Sequence, residues 1–233
     1  VLGTQTATDF NVTFHLSEDD ADNNVNPIAS PYTNIAAYTE ETIWARIENN
    51  TSTNCFNTVA FLIDVFNQPE FNSVTDQLVC DDDNDGFWDF DLVGLDGDIL
   101  GSQLTTDFRV SYHNSEQDAI DDLGALSSPY TNTTAFTQET VWVRIENNDN
   151  TSCFETGSFN INVFRTPEAN TVLNQLICDD NNDGFWDFNL EALDTDVLGG
   201  QSDMDYSITY HVSEVDEDTN ANALANPYTK QAA

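Results

Sequence analysis

Apolar and polar residues alternate along short runs of this chain, and the runs return in a fixed order. In Phe108–His113, the side chains of Phe108, Val110 and Tyr112 share one face, and Arg109, Ser111 and His113 the other. In the next run Val141, Val143 and Ile145 oppose Trp142, Arg144 and Glu146, and in a third Phe159, Ile161 and Val163 oppose Ser158, Asn160 and Asn162. A period of two is that of a half-buried strand. Trp88, Phe90 and Leu92 form a further alternating face, and a helical turn is expected within Leu92–Leu100. Short strands at this spacing predict an all-β fold, a series of immunoglobulin-like antiparallel β-sandwiches whose strands each have one polar and one apolar face.

The same text recurs at a spacing of 98 residues, as from Cys80 to Cys178. Val1-Leu-Gly returns as Ile99-Leu-Gly and Val197-Leu-Gly, Pro31-Tyr-Thr as Pro129-Tyr-Thr and Pro227-Tyr-Thr, and Glu41-Thr-Ile-Trp-Ala-Arg46 as Glu139-Thr-Val-Trp-Val-Arg144. Repeats of this length mark tandem units in an extended array. Pro69 and Pro167 each follow an alternating run, and proline cannot extend a central strand. The expected domains are therefore 1–68, 69–166 and 167–233. Only the middle one would be complete: the first would lack its opening strand and loop, the last its closing strands.

Charge narrows the partners. The chain has 42 acidic and 5 basic residues, a net charge of −37. Nucleic-acid binding needs a basic face, and anionic membranes repel such a surface. A hydrophobic content of 39% excludes global disorder. No signal peptide, lipidation motif or transmembrane run is seen, from which little follows because Val1 already falls inside a repeat; direct membrane insertion is not expected.

One acidic stretch, Cys80-Asp-Asp-Asp-Asn-Asp-Gly-Phe-Trp-Asp-Phe-Asp-Leu92, returns at Cys178–Leu190. The D-x-D-x-D-G spacing lets alternate oxygens converge on a hard cation, with glycine permitting the sharp turn. The expected calcium ligands are Asp81, Asp83, Asp85, the Phe87 carbonyl and Asp89, then Asp179, Asn181, Asp183, the Phe185 carbonyl and Asp187. Leu92 and Leu190 stand where an EF-hand places its bidentate glutamate, so the loop is not an EF-hand. A solvated turn held by Asx hydrogen bonds is the metal-free alternative. A second acidic tract, Ser17-Glu-Asp-Asp20, Ser115-Glu-Gln-Asp118 and Ser213-Glu-Val-Asp216, is read as a solvated loop.

The cysteines repeat as Cys55/Cys153 and Cys80/Cys178, a pattern suited to an oxidising compartment. If the last strand of a unit runs towards the C-terminal pole, Cys153 lies at the N-terminal pole. There it would meet Cys80 in an intradomain Cys80–Cys153 bond, bracing the joint with the preceding domain together with the calcium loop. The pairs Cys55–Cys80 and Cys153–Cys178 are the alternative, and free thiols remain a third reading.

No catalytic constellation is present. His15, His113 and His211 are one repeat position, giving no cluster and no acid–base pair, and no G-x-S-x-G, H-E-x-x-H or phosphate loop occurs. The chain is expected not to be an enzyme. Trp44 and Trp142, each two residues before Arg46 or Arg144, could stack a sugar; a cation–π pair covering the strand face is the plainer account.

Taken together, Cys-Asp-x-(Asn/Asp)-x-Asp-Gly-Phe-x-x-Phe-(Asp/Asn)-Leu, (Phe/Tyr)-His-x-Ser-Glu-x-Asp, Pro-Tyr-Thr and Thr-(Ile/Val)-Trp-x-Arg-Ile-Glu-Asn-Asn resemble the repeats of large cell-surface proteins of the Bacteroidota. Those include the SprB-like gliding adhesins of flavobacteria, exported by the type IX secretion system. The resemblance implies an extended filament on the outer surface, attached to the outer membrane and used for adhesion and gliding motility. Its partners would be neighbouring repeats of the same longer chain, with surface glycans or other cell-surface proteins as further candidates. A glycan-binding or accessory module of a secreted multidomain enzyme is the alternative, and an inert spacer a third.

Overall fold

The computed structural model describes residues 1–230. In the first copy of the repeat, strand β1 (Phe10–His15) is followed by helix α1 (Glu18–Asn23), β2 (Glu41–Asn49) and β3 (Ser52–Ile63). The middle copy has β4 (Gln77–Cys80), β5 (Asp89–Phe90), α2 (Asp96–Leu100), β6 (Phe108–His113), α3 (Glu116–Asp121), β7 (Tyr130–Thr131), β8 (Glu139–Asn147) and β9 (Phe154–Phe164). The third copy has β10 (Asp187–Phe188), α4 (Asp194–Leu198), α5 (Glu214–Asp218) and β11 (Tyr228–Thr229).

These elements form two compact units, which do not follow the sequence repeat. One contains residues 1–77, 88–132 and 137–162; the other contains 78–87, 133–136 and 163–233. In the first unit β1, β2 and β3 form an antiparallel sheet, with Phe14 opposite Ala45 and Ile43 opposite Phe61. The middle copy repeats the pattern, with Tyr112 opposite Val143 and Val141 opposite Phe159, in a sheet of order β4-β9-β8-β6. β5 and β7 make a separate two-residue pair.

The alternation sends its apolar set inward as expected. Tyr112, Val141, Val143, Ile145, Phe159 and Ile161 are buried together with Phe90, Leu92, Ile99 and Leu100. The helical turn expected within Leu92–Leu100 is present as a 3-10 turn at Val93–Leu95 and then α2.

The polar face is not the solvated one the alternation predicts. Arg144 and Glu146 are buried, as are Arg46 and Glu48. The reason is local. The tract read as a solvated loop is a capped helix: the Oγ atoms of Ser17, Ser115 and Ser213 accept from the N–H of Asp20, Asp118 and Asp216. Ser-x-x-Asp is an N-cap signal, and α1 and α3 lie against their strands. Arg144 then binds the exposed carbonyls of α3, donating to Ala119 O and Ile120 O at 3.0 Å and to Thr151 O at 2.7 Å, with Glu146 at 2.6 Å. Arg46 repeats this on Ala21, Asp22, Thr53 and Glu48.

Those contacts also correct the cation–π expectation. Arg46 and Arg144 lie 3.6 and 3.8 Å from the ring centroids of Phe56 and Phe154, on the adjacent strand, rather than on Trp44 or Trp142.

The link between copies is tied down on both sides of Pro69. Asn147 Nδ2 donates to Asn67 O at 3.2 Å and to Asn67 Oδ1 at 2.6 Å. Gln103 accepts from Glu70 N at 2.8 Å and donates to Glu70 O at 2.7 Å. Gln201 makes the same exchange with Glu168 in the second unit.

Candidate metal centre

The loop that follows Cys80 folds on its own side chains. Asp81 Oδ1 accepts from Asp83 N at 3.3 Å, Asp83 Oδ1 from Asp85 N at 3.1 Å, and Asp85 Oδ1 from Phe87 N at 2.8 Å. Each carboxylate thus spends one oxygen on a backbone N–H two residues on. Asp81, fully buried, also accepts from Gly86 N at 2.5 Å. Asn84 and Gly86 take φ of 59° and 89°, the left-handed turn anticipated for the loop. A Cβ on Gly86 would stand 2.5 Å from Ala135 Cβ, so only glycine fits.

One ligand atom from each of Asp81, Asp83 and Asp85 lies within 4.8 Å of the others, the one such acidic group among the described residues. Calcium holds its oxygens at about 2.3–2.6 Å, so two ligands on opposite sides of the ion stand roughly 5 Å apart. The spacing and the hard oxygen donors fit calcium. Burial opposes ionisation of Asp81, but the N–H groups of Gly86, Asp83 and Asn84 outweigh it and hold the carboxyl below the usual aspartate range.

The other predicted ligands are placed as follows. Phe87 is half-exposed, its N–H on Asp85. Asp89 lies in β5, paired with Thr131, and accepts from the Thr131 hydroxyl. In the later loop Asp179 accepts from Gly184 N at 2.6 Å, Asn181 N at 3.1 Å and Asn182 N at 3.0 Å. Asn181 Oδ1 accepts from Asp183 N at 2.9 Å while its Nδ2 donates to Asp183 Oδ2, and Asp183 Oδ1 accepts from Phe185 N. Asp187 accepts from the Thr229 hydroxyl. Donation from Gly184 first, then from Asn181, Asn182 and Asp183, keeps the Asp179 carboxyl below its ordinary range. Leu92 is fully buried in the core, as a non-ligand should be.

The loop grips the segment that leaves β9. Asp81 N donates to Phe164 O at 2.8 Å, and the Thr166 hydroxyl donates to Asp81 O. Thr166 N donates to Asn84 Oδ1 at 2.9 Å while Asn84 Nδ2 donates to Thr166 O at 3.2 Å. Arg165, between them, stacks on Phe136 at 3.7 Å. The loop therefore holds the exit of its own copy, where the expectation put it at the joint with the copy before. Sequence reasoning missed Asn84 and Thr166, because nothing local in the chain marks partners 82 positions apart, and it missed Arg165 on Phe136 for the same reason at 29.

Cys80 closes β4, directly before this loop; Cys153 directly precedes β9. Cys55, Cys80 and Cys178 are exposed and Cys153 is half-buried. The histidines are structural. Nδ1 of His15, His113 and His211 lies 2.8 Å from the carbonyls of Val25, Leu123 and Ala221. A carbonyl only accepts, so Nδ1 carries the proton and Nε2 receives the hydroxyl of Thr13, Ser111 or Thr209.

Strand-rich copies in tandem, with a cysteine at the head of each acidic loop, define a repetitive structural protein. The chain belongs to the Flavobacterium inter-domain disulphide bond domain family, whose profile matches residues 1–69, 76–167 and 174–233. No curated protein matches it. No described helix is long and apolar enough to cross a membrane.

Proposed function

We propose that this chain is a non-enzymatic segment of a repetitive flavobacterial cell-surface filament, attached at the outer membrane and serving adhesion and gliding as in SprB-like adhesins. The unit 69–166 is an immunoglobulin-like sandwich in which the β5–β7 pair stands for the second layer, and 1–68 and 167–233 are partial copies of it. Calcium at Asp81, Asp83 and Asp85, with Asp179, Asn181 and Asp183 as the second site, stiffens the array. The observation that carries this reading is the four hydrogen bonds between Asp81 and Asn84 on one side and Phe164 and Thr166 on the other. They make the acidic loop a clasp on the joint, so that ordering the loop orders the link to the next copy.

The disulfides in this proposal are Cys55–Cys80 and Cys153–Cys178, not Cys80–Cys153. The family description names an inter-domain bond, and the matched segments place each of these pairs in successive copies. The course of β9 supports the same choice. Its last residue, Phe164, bonds Asp81 beside Cys80, whereas Cys153 precedes its first residue, Phe154. Eleven strand residues extend roughly 36 Å at about 3.3 Å each, against a Cα separation of about 4–7 Å in a disulfide.

Peptide mapping of the non-reduced protein tests the pairing, and unfolding with calcium or with a chelator tests the clasp. Recovery of a Cys80–Cys153 peptide would refute the first. Identical melting in both conditions with no bound calcium would refute the second.

A further inference from the structure

Three Asp-Gly bonds occur in the chain: Asp85-Gly86, Asp96-Gly97 and Asp183-Gly184. Such a bond is chemically weak. Glycine has no side chain to shield its nitrogen, so that nitrogen can attack the carboxyl group of the preceding aspartate. The bond from Gly N to Asp Cγ forms, a carboxyl C–O bond breaks, and the OH leaves with the amide proton as water. Water then reopens the five-membered imide at either carbonyl. Opening at the main-chain carbonyl leaves the backbone running through the side chain, one methylene longer, as isoaspartate. The change consumes no oxidant or reductant and leaves the mass as it was.

The three bonds are held differently. Asp96 and Gly97 open helix α2, and Asp96 accepts from the Tyr112 hydroxyl at 2.7 Å. Asp85 lies in the irregular acidic loop with its side chain exposed, and Gly86 is buried. Both reacting groups there are engaged elsewhere. The Gly86 N–H, which must be given up for attack, donates to Asp81 Oδ2 at 2.5 Å. The Asp85 carboxylate accepts from Phe87 N at 2.8 Å, one residue beyond the nitrogen that would attack it. Asp81 is a fixed acceptor: it is fully buried, and its other oxygen takes the N–H of Asp83. The later loop repeats both contacts, with Gly184 N on Asp179 at 2.6 Å and Phe185 N on Asp183 at 2.9 Å.

We propose that Asp85-Gly86, and Asp183-Gly184 by repetition, are sites of isoaspartate formation, and that Asp81 and Asp179 hold the reaction in check by binding the attacking N–H. The product does not fit the native loop. A Cβ on Gly86 would already stand 2.5 Å from Ala135 Cβ, and Asn84 is bonded to Thr166. A methylene added between Asn84 and Gly86 displaces one or the other. On the clasp reading above, isomerisation thereby releases the link to the next copy; the modification site itself does not depend on that reading.

The full chain is incubated at neutral pH with a chelator, so that calcium plays no part. Chromatography with electron-transfer fragmentation then separates aspartyl from isoaspartyl loop peptides. Isomerisation at Asp85 should be at least about tenfold slower in the native protein than in urea, and Asp81→Ala should speed it by about tenfold, the factor for one hydrogen bond to a charged group. Asp96-Gly97 reports the fold, and its rate should be the same in wild type and variant. If that rate rises to its value in urea, Asp81→Asn takes the place of Asp81→Ala, since one amide oxygen cannot accept from both Asp83 and Gly86. An Asp85 rate equal in native protein and urea, or a folded variant that isomerises no faster than wild type, would overturn the proposal. Exchange of the Thr166 N–H should be faster in the isoaspartyl protein; unchanged exchange beside a measured isoaspartate counts against the clasp and leaves the modification site standing.

Discussion

Asn84 and Thr166, 82 positions apart, exchange two hydrogen bonds, each donating to the other. Asn84 has a left-handed φ of 59°, so Asn84→Gly keeps the backbone and removes only the side chain. Loss of two partly buried hydrogen bonds should cost about 1–3 kcal/mol, seen as a lower urea midpoint. Asn182→Gly should cost less, since the Asn182 side chain makes no such exchange among the described residues.

Calcium should raise the melting temperature and a chelator should reverse it. With weak loops of this kind, Kd is expected near 10⁻⁴–10⁻³ M, roughly. At about ten times Kd the native state gains ~1.4 kcal/mol. Asp83→Asn leaves Asp81 and its Gly86 bond in place, so it should lower calcium affinity in calorimetry while folding is kept.

Reduction of the proposed Cys55–Cys80 and Cys153–Cys178 bonds should lower stability by about 2–4 kcal/mol for each bond. Mass spectrometry with and without reductant, paired with chemical unfolding, checks both the connectivity and the size. A serine at Cys153 should leave Cys178 as a free thiol and Cys55–Cys80 intact.

Arg144→Met should be severely destabilising, by about 3 kcal/mol or more, because Glu146 stays buried and the α3 carbonyls lose their donor. Arg109, which also contacts Glu146, recovers part of that loss. The double variant Arg144→Met with Glu146→Leu should be more stable than Arg144→Met alone, as measured in thermal unfolding.

Acid should loosen the segment that leads into β4 before the core. The N–H and then the side chain of Asn160 hold the Asp76 carboxyl below its ordinary range. A carboxyl depressed in the folded state contributes stability above its unfolded pKa of about 4, and the contribution disappears as pH falls through the folded value. Hydrogen exchange at Asn160 should therefore accelerate below about pH 4 in the native protein, and much less in Asp76→Asn.

The chain by itself determined the repeat, which is written in the text at a spacing of 98 residues, and the strand alternation and the convergence of three aspartates, which depend on neighbours within a few residues. Ser115 and Asp118 were equally legible as a helix cap, and were passed over because acidic tracts read as solvent. The buried Arg144, its stacking on Phe154 rather than Trp142, and the grip of Asp81 and Asn84 on Thr166 were decided only by tertiary structure. Alternation states which residues share a face, but not what is laid over that face. Helix α3 covers the polar side of β8 here, and only packing brings it there. The same limit governs the cysteines: spacing reveals the pair types, but not which of them lie near one another.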